Sequence, residues 1–157
     1  MSTPEAKLAG LGHELAAFPA RPGPLEMVVV HGGLAWVSGQ PPAKDGKIVY
    51  KGPVGAAVSI EDARSAAQLC VVNALGALSA ALGSLSTVER IVKVVGFVSC
   101  EPGFSRQSDV INAASDLLVG VFGDAGKHAR SAIGVASLPA DMSVEIELVA
   151  AVRREAG

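Results

Sequence analysis

Between Ser59 and Gly83 the chain repeats small residues at helical spacing: Ala63, Ala66, Ala67, Cys70, Asn73, Ala74, Ala77 and Leu78. That period marks an α-helix. With so much alanine on one face, the helix must lie very close to whatever it covers, most simply a β-sheet. Ser59-Ile60-Glu61-Asp62 resembles a capping box with a shortened acid, and Gly83 is a natural stop.

The rest of the chain supplies that sheet. Ile91 to Val98 is β-branched and nearly continuously apolar, as in a strand covered on both faces. Met27–Val30 and Leu34–Val37 are short strands around a His31-Gly32-Gly33 turn, and the second breaks at Ser38-Gly39-Gln40-Pro41-Pro42. A turn at 44–47 precedes a strand over Ile48–Tyr50. A second long helix is expected over Phe104–Phe122, burying Val110, Ala113, Ala114, Leu117, Leu118 and Val121 and ending at Gly123. Thr3, Pro4 and the series Leu8, Leu11, Leu15, Phe18 predict an N-terminal helix that runs to the prolines at 19, 22 and 24.

The order is strands, helix, strand, helix, two strands. It predicts an α+β two-layer sandwich, a mixed sheet with two long helices on one face. The other face is largely small and apolar, so self-association around it is the economical solution.

Residues 128–149 complete the sheet. Ser131–Leu138 is small and apolar, while Val144, Ile146 and Leu148 alternate with Glu145 and Glu147. Leu138-Pro139-Ala140-Asp141 supplies a turn. If the two strands pair as antiparallel neighbours, Arg130 approaches the acidic face of the second and an anion-binding pocket results. The same pattern also describes a solvent-exposed ion pair worth roughly 0 to 1 kcal/mol. Two features favour the pocket. The Arg130 strand has almost nothing large in it, and His128, two residues earlier, points the same way.

At 157 residues the chain is expected to form one domain, with 1–21 as a helical extension and 22–153 as the core. A net charge of −2 with no Lys/Arg run argues against nucleic-acid or membrane binding. Aromatics are only 4%, which leaves bases little to stack on. No apolar run reaches the ~18 residues of a membrane span, and no signal peptide is evident, so a cytoplasmic location is expected. Cys70 and Cys100 are expected to be small buried hydrophobes. The three histidines are scattered, so no metal is expected. Neither a Gly-x-Ser-x-Gly elbow nor a phosphate-binding glycine loop is present, so neither a hydrolase triad nor a nucleotide is expected.

Ser38-Gly39-Gln40 after a strand, Ala129-Arg130-Ser131-Ala132, Leu138-Pro139 and Val144-Glu145-Ile146-Glu147 resemble, in order and spacing, the YjgF/Rid family (reactive intermediate deaminases, also labelled endoribonuclease L-PSP). The similarity runs from about Pro22 to Arg153, and the Arg-to-Glu segment is its most specific part. The longer N-terminus and the Gly-Lys-His-Ala-Arg wording resemble a less characterised branch.

The resemblance implies a chorismate-mutase-like fold, a homotrimer with three clefts between subunits, and no cofactor. It implies that Arg130 grips the carboxylate of a 2-imino or 2-enamino acid. Glu145 and the backbone carbonyl of Ala132 would orient a water that hydrolyses the imine to a 2-oxo acid and ammonia. Ser38, Gly39 and Asn112 would line the cleft. Two departures stand out: Ala132 replaces a frequent Cys, and Leu25 replaces a Tyr that follows Gly-Pro in relatives. Leu25 removes a hydroxyl and an aromatic wall. His128 is the candidate to compensate, as a proton carrier titrating near neutrality, against the plainer role of a loop histidine satisfied by backbone. The resemblance makes deaminase the leading expectation. A trimer that binds small carboxylates without turnover comes second, and ribonuclease third.

Overall fold

The computed structural model describes residues 1–15, 17, 18 and 22–153. Strands β1 (Val28–His31), β2 (Leu34–Gln40), β5 (Val88–Ser99), β6 (Ala129–Val135) and β7 (Val144–Val152) form one sheet in the order β1-β2-β7-β5-β6. β5 and β6 run parallel and every other pair antiparallel, so the sheet is mixed. Two-residue strands β3 (Ala43–Lys44) and β4 (Lys47–Ile48) make a separate small hairpin.

Helices α2 (Ile60–Leu82) and α3 (Gln107–Phe122) pack against each other and cover one face of the sheet, as the period predicts. Ser59 caps α2 by accepting from the Asp62 amide at 3.1 Å, and Gly83 ends it in the left-handed conformation at φ +80°. The alanine face does bring helix and sheet together: Ala63, Ala66, Ala67 and Ala74 are fully buried. α2 is long and apolar enough to cross a membrane by composition, but most of it is buried inside this fold. Its one buried amide, Asn73, donates to the carbonyls of Pro41 (2.8 Å) and Ala43 (2.9 Å), which ties down the chain leaving β2. Burial pushes the Cys70 thiol well up, with Glu145 adding to it, so the sulfur is an inert core atom.

The N-terminal helix, α1 (Pro4–Gly10), is shorter than its apolar spacing predicts. Thr3 caps it, but Gly12 adopts φ +85° and ends the helical run; Leu15 lies outside it, and Pro19 falls outside the described residues. α1 packs on α3 and buries Leu8, a contribution of about 1.5–3 kcal/mol. The Glu5 carboxylate accepts from the Leu85 amide (2.7 Å) and the Ser84 hydroxyl (3.0 Å).

The expected 130s–140s hairpin is corrected. β6 and β7 are not neighbours, because β5 lies between them and pairs with both. β5, 12 residues long, pairs its backbone donors and acceptors along both edges in this way. The connection over 136–143 is longer than a tight turn, and Ala140 and Asp141 take positive φ within it. β5 itself is covered on one face only: Ile91, Val94 and Val98 are fully buried, while Val92 is exposed and Val95 and Phe97 are half-buried.

Candidate functional site: two half-sites on opposite faces

Residues paired directly across a sheet share a face. Arg130 pairs with Val94, which pairs with Leu148; Ala132 pairs with Gly96, which pairs with Ile146. Val94, Leu148 and Ile146 are buried under the helices, and Ile111 of α3 sits directly over Gly96. Arg130 and Ala132 therefore face the helix layer. Glu145 pairs with Phe97, which pairs with Ile133, and Glu147 pairs with Val95, which pairs with Ser131. Both glutamates face the open side. The antiparallel approach of Arg130 to Glu145 expected from the sequence does not occur within one chain.

The first half-site surrounds Arg130 on edge strand β6. Its Nη1 donates to the Asn112 side-chain oxygen at 2.8 Å and to the Ser115 hydroxyl at 3.1 Å, both on α3. Asn112 and Ser115 are three apart, so they project from one side of the helix. Both bonds use Nη1 and neither engages the Nε–Nη2 edge of the fork, the geometry that takes a carboxylate with two parallel bonds. His128 lies on the same side as Arg130, as its spacing predicts. Its Nε2 is 3.0 Å from the Ser115 hydroxyl, and its Nδ1 is 2.6 Å from the Gly126 carbonyl. Burial holds the imidazole below its ordinary value, against the pull of the Gly126 carbonyl and with the Arg130 charge assisting.

The second half-site surrounds Glu145. β2 takes three steps, Val37 to Gln40, where β7 takes two, Leu148 to Ile146; this is a β-bulge at Ser38-Gly39. The bulge turns Gly39 toward Glu145. A Cβ on Gly39 would come within 2.9 Å of the Glu145 carboxyl carbon, so the carboxylate occupies the space a side chain would need. The Ser38 hydroxyl donates to the Glu26 carbonyl at 2.7 Å, while its amide donates to the Met27 carbonyl at 2.9 Å. Buried Gln40 donates to the Ser38 carbonyl at 2.9 Å. Partial burial raises the Glu145 carboxyl above its usual range, and Glu147 adds to it. Leu25 is 60% exposed in the loop before β1, one residue from the carbonyl that holds Ser38.

The fold thus groups Arg130, Asn112, Ala132 and His128 in one place, and Gly39, Ser38, Glu145 and Leu25 in another. β1 and β6 are the two edges of the sheet, so the Leu25 loop and Arg130 are far apart. Ser115 was not legible as a site residue by type alone, although its spacing from Asn112 was the available signal. Among the described residues no group of three or more His, Cys, Asp or Glu could hold a metal ion.

Comparison with known proteins gives a consistent result. A family model described as "YjgF/chorismate mutase-like, putative endoribonuclease" matches residues 5–152. Protein TCP17 of Trypanosoma cruzi is 40% identical over 143 residues, 90% of this chain and 89% of that protein. The crystal structure of Atu1372 from Agrobacterium tumefaciens, of unknown function, is 42% identical with a TM-score of 0.87, covering 96% of this chain and 92% of that one. TdcF of E. coli, crystallised with bound serine, is 27% identical with a TM-score of 0.61, covering 87% and 93%. The chain belongs to the YjgF/chorismate-mutase-like family.

Proposed function

We propose that the protein hydrolyses 2-imino and 2-enamino acids to 2-oxo acids and ammonia, without a cofactor, in clefts between the subunits of a homotrimer. The observation that carries this reading is the Arg130 guanidinium, anchored by Nη1 to Asn112 and Ser115 with its other edge clear of them. A small carboxylate suits that edge, and the serine bound to TdcF, a small amino acid, is of the same class.

A complete site needs Glu145 from a second copy, because a chain's own Glu145 faces the other way. The open sheet face supports such assembly: Trp36, Val29 and Ile133 are all 44–53% exposed on a single protomer. In the cleft, Arg130 holds the carboxylate and Glu145, with the Ala132 carbonyl, orients one water. Glu145 takes a proton as the water oxygen bonds to the imine carbon, and returns it to nitrogen. Glu145 then takes the hydroxyl proton of the resulting carbinolamine and passes it to nitrogen as the C–N bond breaks, releasing ammonia and leaving the ketone. A carboxyl raised by burial is better matched to this exchange near neutrality than an ordinary one. Positioning supplies the rest, since the imine is already prone to hydrolysis.

A carboxylate-binding trimer without turnover is the second reading, favoured by the exposed Leu25, which brings no hydroxyl to the cleft. Hydrolysis of freshly generated 2-aminoacrylate decides between them. Turnover by wild type that is lost in Arg130→Ala and Glu145→Gln supports the deaminase. Saturable pyruvate binding without turnover supports the second reading.

A further inference from the structure

We propose that Ser115 and His128 are positioning residues that aim the Arg130 guanidinium through a one-way hydrogen-bond chain ending on the Gly126 carbonyl. This rests on the reading of Arg130 as the carboxylate anchor and assigns that site its control.

The direction of every link follows from chemistry. A guanidinium only donates, so the Ser115 oxygen accepts from Arg130 at 3.1 Å. A backbone carbonyl only accepts, so His128 Nδ1 carries a proton and donates to Gly126 at 2.6 Å. In the neutral ring Nε2 is then a bare acceptor, and the Ser115 hydroxyl donates to it at 3.0 Å. The chain is complete with one proton per link: Arg130 to Ser115, Ser115 to His128, His128 to Gly126. With both ring nitrogens engaged, His128 sits behind Arg130 and acts on the ligand through it.

The chain has one breaking point. A protonated His128 donates from Nε2 as well, so Ser115 receives two donors and its own hydrogen loses its acceptor. Arg130 is the charged group facing the ring from β6; α3 presents the Ser115 hydroxyl and the 123–126 turn the Gly126 carbonyl. Asp124 and Lys127 are occupied with each other at 2.7 Å, both well exposed. Protonation therefore loosens Arg130, and burial keeps that event below the ordinary histidine range. Carboxylate affinity should hold at neutral pH and fall on the acid side.

The test has three arms on the full-length protein, with pyruvate as the probe. Nitrogen-15 NMR of the wild-type ring should show the Nδ1–H tautomer for His128; a dominant Nε2–H form overturns the chain. Calorimetric titration should show Ser115→Ala weakening pyruvate about three- to tenfold, as loss of one hydrogen bond implies, with Ser115→Thr close to wild type. His128→Gln, which keeps an uncharged acceptor, should flatten the acid-side fall in affinity between pH 5 and 8. Unchanged affinity and an unchanged pH profile in Ser115→Ala and His128→Gln overturn the proposal while Arg130→Ala still abolishes binding. If Arg130→Ala binds pyruvate normally, the carboxylate reading beneath it fails instead.

Discussion

Arg130 and Glu145 project from opposite faces of one sheet, two strands apart with β5 between them. A rigid sheet cannot bring them to one ligand within a chain. The proposed chemistry therefore requires that each cleft take its cation from one copy and its acid from the next.

Mixing two inactive variants tests this directly. Arg130→Ala and Glu145→Gln, each inactive alone, should recover activity when dissociated and reassembled together. In randomly mixed closed rings about a quarter of clefts regain both residues. Hetero-oligomers seen by native mass spectrometry with no regained turnover would refute the shared cleft.

Gly39→Ala should damage the site through Glu145. The added methyl meets the carboxyl group, and either the bulge or the carboxylate must move. Turnover is expected to fall at least tenfold, with a stability loss of about 1–3 kcal/mol from overpacking. Thermal unfolding and 2-aminoacrylate kinetics report the two effects separately; wild-type values in both would show that the bulge has slack.

If Glu145 is the proton acceptor of the proposed reaction, it should set an acid limb in the pH profile. Burial and then Glu147 raise its carboxyl, so Glu147→Gln should lower it again and move the limb to lower pH. The stability sign is opposite to that of a salt-bridged acid. The folded state holds this proton more tightly than the unfolded chain, so the contribution is full below the ordinary value of 4.5 and is lost as pH rises through the raised folded value. Chemical denaturation across pH 4 to 8, wild type against Glu145→Gln, should show that difference.

His128 has the reverse dependence. Its folded value is lowered, so its contribution is complete above the ordinary value of 6.5 and declines as pH falls from there toward the folded value. His128→Gln should remove that part of the acid-side loss. An identical stability–pH curve in the variant would mean that the ring is not held neutral.

Trp36→Glu places a charge on the open sheet face, where Trp36 is 53% exposed. Light scattering coupled to gel filtration should show a smaller species with reduced turnover and unchanged secondary structure. An intact wild-type oligomer would move the interface elsewhere.

The helices were legible because their information is local. The alanine spacing of α2 and its serine and glycine ends lie within one stretch, and Val110 to Val121 give α3 in the same way. The N-terminal helix misled because Leu15 and Phe18 continue the spacing past Gly10 and Gly12, which stop it. Strand order was not legible. Alternation assigns Glu145 and Ile146 to opposite faces, but nothing in residues 128–149 reveals that β5, about 40 residues upstream, inserts between β6 and β7. The shared side of His128 and Arg130 could be read from their spacing, whereas the serine linking them comes from another element.

Because the halves are built on opposite faces, each newly folded chain holds every reactive group and yet encloses no metabolite. On this reading folding and competence are separate events. A freshly made subunit stays latent until it meets its siblings, and the onset of turnover depends on how many are present.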